Sequence, residues 1–263
     1  MQDNVCPLLI IEGYTMNILV TNDDGETEGL RMLLEVAKKF GTAYALVPNR
    51  QRSAVSSALT LHKAIRLEKI DQDFYEINGT PADAVLFATH SRELETPDLV
   101  LSGVNWGDNA SFSALISSGT LGACWQAALE GIPSIAVSMY QTRRDWRDKS
   151  GWGDPKKLKK VLADIIKTLK PRLKGDVFFN VNLPDDLSAP KMIDSHRMQK
   201  VRYKTQITKR FDPNGKAYYW ISGAKNDVEK GTDLYEISVN KNVTITEIPL
   251  SFADESAKAA VEE

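Results

Sequence analysis

The stretch that most constrains the fold is NILVTNDDG, Asn17 to Gly25. Ile18, Leu19 and Val20 form a short apolar, partly β-branched run, the pattern of a strand buried on both faces of a parallel sheet. The run stops abruptly at Thr21, Asn22, Asp23, Asp24 and Gly25. Adjacent carboxylates at the end of a buried strand repel each other, and coexist only with a metal ion, a basic partner or a proton. Gly25 has no Cβ, so the chain can turn tightly there and let both carboxylates converge. Ligands of open α/β sheets bind at the carboxyl ends of strands. A solvated turn leading into a helix cap accounts for the same residues, so the rest of the chain has to decide.

The 263 residues suffice for one large α/β domain, alone or with an appendage, whose core needs neither disulfides nor a structural metal. A net charge of −2 gives no reason to expect nucleic-acid or membrane binding. Cys6, Cys124, His62, His90 and His196 are too few and too scattered for a disulfide framework or a Cys/His zinc site. No apolar run reaches the ~18 residues of a membrane helix. CPLLII within residues 1–15 lacks the basic flank of a signal peptide. The expectation is a cytoplasmic enzyme, with residues 1–15 as an N-terminal extension: an upstream start ahead of Met16, or a short extra strand.

After Gly25, Leu30, Leu33, Leu34, Ala37 and Phe40 keep helical spacing, and Ala43 to Val47 predicts the next strand, which begins a doubly wound sheet. Asn49-Arg50-Gln51-Arg52-Ser53 follows at that strand's carboxyl end. Its two arginines suit an anionic ligand, or make an exposed basic loop. Leu59 to Gly79 has a strand-like pattern. Thr80 and Pro81 predict a helix start as N-cap and first residue, and His90 is expected at that helix's C-terminal dipole. Leu99 to Leu101 predicts a buried strand, followed by SGVNWGDNAS, where Asn105 and Asn109 offer neutral oxygens and N–H donors while Gly103 and Gly107 allow close backbone approach. Ser118-Gly119-Thr120 opens a helix, as a simple cap or as an anion site. A strand over Ser134 to Met139, a loop over Arg143 to Pro155, an amphipathic helix over Lys156 to Leu169 and a strand over Val177 to Val181 come next. Val201 to Ile207 and Ala217 to Ile221 alternate around Asp212-Pro213-Asn214-Gly215, predicting a hairpin that reaches over a partner subunit. Leu234 to Val239 and Val243 to Ile248 are the last predicted strands, and 253–263 is a tail or final helix.

The polar clusters Asn22 to Gly25, Arg50 to Ser53, Asn105 to Asn109 and Ser118 to Thr120 all fall near strand carboxyl ends on one edge of the predicted sheet. Two carboxylates, a hydroxyl and an amide suit a hard divalent cation, Mg²⁺ or Mn²⁺, rather than zinc. The helix start and the arginines would bind phosphate. Metal-assisted phosphoryl hydrolysis follows as a reaction class.

NILVTNDDG, VPNRQRSAVSSALTL, GTPADAV, LVLSGVNWGDN and SSGTLGA, in that order, resemble the SurE family of nucleotidases, with a weaker likeness at GTDLYEISVNKNVTIT. The resemblance implies a Rossmann-like, mostly parallel α/β core over 16–199. It also implies a hairpin arm with C-terminal strands and tail over 200–263, assembling a homo-dimer or tetramer. The implied activity is hydrolysis of nucleoside 5′-monophosphates, with 3′-monophosphates as a further class, using Mg²⁺ or Mn²⁺. Asp23, Asp24, Ser53 and Asn105 map onto the family's metal ligands, with Asp23 and Asp24 as catalytic residues. Asn22, Gly25, Asn109, Ser118, Gly119 and Thr120 are the phosphate-binding candidates. A bound water or hydroxide would attack, or one aspartate would act as base; the sequence does not choose. Two departures stand out: Asn109-Ala110-Ser111 replaces the family's usual Asn-Leu-Gly, and the interval from Asn105 to Ser118 is one residue longer than in many members.

Other readings are a broad-specificity acid phosphatase or exopolyphosphatase, and a noncatalytic nucleotide-binding protein. A response-regulator receiver would need an aspartate where Leu101-Ser102-Gly103 stands. A haloacid-dehalogenase-like phosphatase would need one at Gly25.

Overall fold

The computed structural model describes residues 14–141 and 152–250. The expectations for CPLLII, for most of the Arg143 to Pro155 loop and for the 253–263 tail lie outside them.

Strand β1 (Asn17–Thr21) runs parallel to β2 (Thr42–Pro48) on one side and to β5 (Leu99–Trp106) on the other. An antiparallel pair, β3 (Leu67–Asp71) and β4 (Phe74–Ile77), extends the sheet beyond β2. On the far side stand β6 (Ser134–Met139), β7 (Val177–Leu183), β8 (Met192–Asp194) and β11 (Val243–Pro249), giving the order β3-β4-β2-β1-β5-β6-β7-β11-β8. This is the expected α/β class with a mostly parallel sheet.

The strand period of two sends Ile18 and Val20 to one face and Leu19 to the other, all fully buried. The first face packs against α1 (Glu28–Ala37) and α5 (Pro155–Leu169), the second against α2 (Pro81–His90) and α4 (Gly119–Leu129). Helix starts sit where their caps place them. Thr27 accepts from the Leu30 N–H, and Thr80 forms a reciprocal capping box with Asp83.

Three segments differ from the sequence expectation. Residues 59–66 form no strand. Their backbone groups bond to side chains instead of a ladder: Thr60 N donates to Asp83 Oδ1 at 2.9 Å and Arg66 N to Asn78 Oδ1 at 2.8 Å. Leu234 to Val239 is not a strand but the short helix α6 (Asp233–Ser238). Thr232 caps it by accepting from the Tyr235 N–H, and Leu234 and Ile237, three apart, are its buried apolar residues. Phe112–Ser117, a stretch with no expected element, forms a further short helix, α3.

The hairpin is longer than its sequence pattern suggested. Strands β9 (Tyr203–Phe211) and β10 (Ala217–Lys225) pair from Tyr203↔Lys225 to Phe211↔Ala217 as a separate two-stranded sheet. The Asp212 carboxylate accepts from the Asn214 and Lys216 N–H groups and shapes its turn. Ile207, Phe211, Tyr219 and Ile221 alternate onto one exposed face. Within the region after residue 199 this arm leaves the main sheet, whereas β11 returns to it between β7 and β8.

Candidate active site

The chain winds from β1 to β2 in one direction, while β5 lies on the opposite side of β1. The crevice at this reversal is where an α/β sheet binds its ligand. A cavity of about 500 Å³ opens there, lined by Asp23, Asp24, Gln51, Ser53, Asn105, Asn109 and Ser118, with Ala54, Trp106 and Ser117 completing the wall.

The turn after β1 is closed by Asn22. Its Nδ2 donates to Gly25 O at 2.8 Å, and its Oδ1 accepts from Gly25 N at 3.0 Å. Gly25 adopts φ +77°, and a Cβ on it would meet Pro48 O at 3.0 Å. Neither residue lines the cavity; together they aim the two aspartates. Asp23 is 6% exposed and accepts from Thr120 Oγ1 at 2.7 Å. Burial, and then the neighbouring Asp24 charge, push its pKa up to about 6 against the Thr120 hydroxyl and the backbone N–H groups of Asp23 and Gly119, which favour ionisation. The start of α4 thus faces Asp23 itself. Thr120 is fully buried, while Ser118, which caps α4, reaches the cavity. Gly119 permits this approach, since a Cβ there would lie 2.7 Å from Asp23 Cβ.

Gln51 joins two of the expected ligands. Its Nε2 donates to Asp24 Oδ1 at 2.8 Å and to Ser53 Oγ at 3.0 Å. The arginines expected beside it turn elsewhere. Arg52 donates from Nε to Gly79 O and from Nη2 to Asn78 O, and it lines a separate depression with Arg50 and Lys63. A basic loop with alternating side chains puts Gln51 and Ser53 on the cavity side and the arginines on the other.

Asn105 stands where the β5–β6 pairing slips, between Gly103 and Asn105. Gly103 has φ +138°, and a Cβ would collide with Val137 O at 2.2 Å. The Asn105 Nδ2 donates to Gly107 O at 2.8 Å, which leaves its carbonyl oxygen without a hydrogen bond among the described residues. Asn109 is gripped from three sides. Its N–H donates to Asn182 Oδ1, its carbonyl accepts from Asn180 Nδ2, and its Nδ2 donates to Ser138 Oγ, at 2.8, 3.0 and 2.7 Å.

Two carboxylates, a hydroxyl and an uncommitted amide oxygen therefore share one cavity wall, a donor set that fits a hard divalent cation. Among the described residues no group of three or more His, Cys, Asp or Glu gathers, so Asp23 and Asp24 supply the full charges. Cys124 is no nucleophile here, since complete burial pushes its thiol up to about 12.

A sequence model of the family described as "Survival protein SurE" matches residues 18–211. The chain belongs to the SurE family. The "5'-nucleotidase SurE" of Hyperthermus butylicus is 35% identical over 245 residues, spanning 90% of this chain and 86% of the relative. That of Thermococcus kodakarensis is 35% identical over 261 residues, spanning 94% and 96%. The crystal structure of the SurE protein from Aquifex aeolicus matches with a TM-score of 0.74 at 32% identity, covering 94% of this chain and all of that one. The SurE match runs from β1 into the arm, so every residue lining the cavity lies inside it.

Sequence reasoning passed over several residues that shape this SurE cavity. Gln51 carries no signal of its own between Arg50 and Arg52. Asn180 and Asn182 had a visible signal: two asparagines at i and i+2 in the otherwise apolar VFFNVNL put two amides on one face of a fully buried strand. At the Asn109-Ala110-Ser111 departure, Ala110 packs with Tyr140, Leu234 and Ile237, and Ser111 caps α3.

Proposed function

We propose that the chain hydrolyses nucleoside 5′-monophosphates to nucleoside and phosphate with a divalent cation, Mg²⁺ or Mn²⁺. The observation that carries this reading is the convergence of Asp23, Asp24, Ser53 and Asn105 on one polar cavity at the sheet's reversal point. These four would hold the cation, which when bound supplies charge neutralisation and Lewis acidity toward a phosphoryl oxygen. Ser118 and Asn109 donate hydrogen bonds to the phosphate. Gln51 keeps Asp24 and Ser53 in register, and Thr120 and Gly119 do the same for Asp23. No His or Cys lines the cavity, and the attacking group of the proposal is a water molecule, with one of the two aspartates as a candidate base. 3′-Monophosphates form a second substrate class of the proposal.

The proposal includes a homo-dimer or tetramer built through the arm, whose Ile207, Phe211, Tyr219 and Ile221 are exposed among the described residues and would gain burial from a second molecule. It also includes a cytoplasmic location; no helix of the described residues is long and apolar enough to cross a membrane.

The test is a phosphate-release screen over 5′- and 3′-nucleotides, polyphosphate and simple phosphate esters, with and without EDTA. Release from 5′-nucleotides that stops on chelation and returns with Mg²⁺ or Mn²⁺ is expected. Release undiminished by thorough metal removal would overturn the mechanism, and activity confined to polyphosphate would overturn the substrate class.

A further inference from the structure

The arm is tied to the cavity wall by a buried ion pair. Arg202, the residue before β9, donates from Nη2 to Asp108 Oδ2 at 3.2 Å, and both side chains are under a tenth exposed. Its guanidinium lies 5.3 Å from the ring centroids of both Tyr140 and Tyr203. Arg202 is the only cation paired with Asp108 among the described residues.

The neighbours of each partner give the pair its meaning. Asp108 stands between Gly107, whose carbonyl orients the Asn105 amide, and Asn109, which lines the cavity. On the other side, Arg202 O accepts from Asn226 N at 3.1 Å, which closes the two roots of the arm on each other. The root is laced to the segment after Asn109 as well. Phe112 N donates to Gln199 O at 2.7 Å and Ser113 N to Lys200 O at 3.1 Å. Packed apolar residues can replace a buried ion pair without loss of stability, so stability alone does not call for a charge pair at this place. A directional contact does position what it holds.

We propose that Arg202 is a positioning residue: through Asp108 it sets the loop carrying Asn105 and Asn109, so that the seating of the arm governs how well the cavity is formed. The catalytic side of this inference rests on the nucleotidase reading above; the mechanical side does not.

The experiment uses the full chain with three single substitutions, Arg202→Met, Arg202→Lys and Asp108→Asn, and the Met/Asn double. Methionine keeps much of the length and the contact with the tyrosine rings, and asparagine keeps the shape of Asp108. Two quantities are measured well below each variant's melting temperature: amide hydrogen exchange of residues 105–111 without added ligand, and kcat and KM for AMP with Mg²⁺. Arg202→Met and Asp108→Asn are expected to speed exchange of that loop about tenfold or more while the central strands keep their protection. They should lower kcat/KM about 10–100-fold, the usual cost of losing a residue that supports a ligand. Arg202→Lys should retain most of both properties, and the double should be no worse than the poorer single. A fall in melting temperature with unchanged loop exchange and unchanged kcat/KM would overturn the proposal. If wild-type protein left AMP intact, the nucleotidase reading would fail, and loop exchange would still decide the positioning role. Should Arg202→Met not fold, the isosteric Asp108→Asn carries the same two readouts.

Discussion

Replacing Asp23 with asparagine should make the metal-free protein more stable, and the size of the effect follows from its surroundings. In the fold the Asp23 carboxyl is pushed from 3.8 up to about 6 by burial and by Asp24. A carboxyl that holds its proton more tightly folded than unfolded stabilises the fold at low pH, and that contribution is lost as pH rises from 3.8 through about 6. The rise is roughly two pH units at about 1.4 kcal/mol each, so ionised Asp23 costs the apo fold about 3 kcal/mol above that window. An asparagine keeps the shape, can still accept from the Thr120 hydroxyl and carries no charge to desolvate. Urea unfolding in EDTA from pH 4 to pH 8 should show Asp23→Asn ahead of wild type by up to about 3 kcal/mol at pH 8, with the gap closing toward pH 4. Asp233, whose carboxyl is also pushed to about 6 by burial, is present in both proteins and cancels in the difference. Mg²⁺ should close most of this gap, because a cation at a hundred times its Kd stabilises the wild type by about 2.7 kcal/mol. The same variant should lose most activity. Equal stability at pH 8 without metal, or a gap that ignores pH, would refute the electrostatic account of the aspartate pair.

Other perturbations separate the parts of the site. Gly119→Ala would place a Cβ 2.7 Å from Asp23 Cβ and 2.9 Å from its Oδ2, so turnover should fall sharply while circular dichroism stays native; full activity would show that Asp23 can move without consequence. Ser53→Ala and Asn105→Ala should each weaken the apparent affinity for metal about 10–100-fold, with activity recovering at high metal more fully than in Asp24→Asn. Removing residues 205–223, whose ends Thr205 and Gly223 are paired in register, should yield a smaller species in light scattering; an unchanged mass would dismiss the arm as the means of assembly.

What could be read from the sequence followed from strong local rules. The apolar run at Ile18–Val20, the Thr80-Pro81 cap and the stripe of α5 each depend on spacing and capping, which a short window contains. Leu234–Val239 misled for the opposite reason: its alternation suited a strand, while the deciding features were the Thr232 cap and the burial of Leu234 against Ile237. Residues 59–66 looked β-like but found side-chain partners in the Asn78–Asp83 segment, which no local pattern encodes. The site was legible at its charged and turn-forming residues. It was not legible where position depends on neighbours distant in sequence, as with Gln51 on Asp24, Asn182 on Asn109 and Arg202 on Asp108.

The place of β11 bears on how the molecule is made. Its backbone pairs antiparallel with β7 and parallel with β8, so an element from near the end of the described chain fills a gap between two that precede it. During synthesis β7 leaves the ribosome first, and its outer edge stays open while the arm and α6 are translated. An unpaired edge of that kind is a template for pairing with other chains. The arm, with its exposed aromatic and aliphatic face, therefore emerges beside a sheet that cannot yet close. Pairing by Val243–Pro249 is the step that seals this edge, and a chain truncated before Val243 would carry both adhesive surfaces at once.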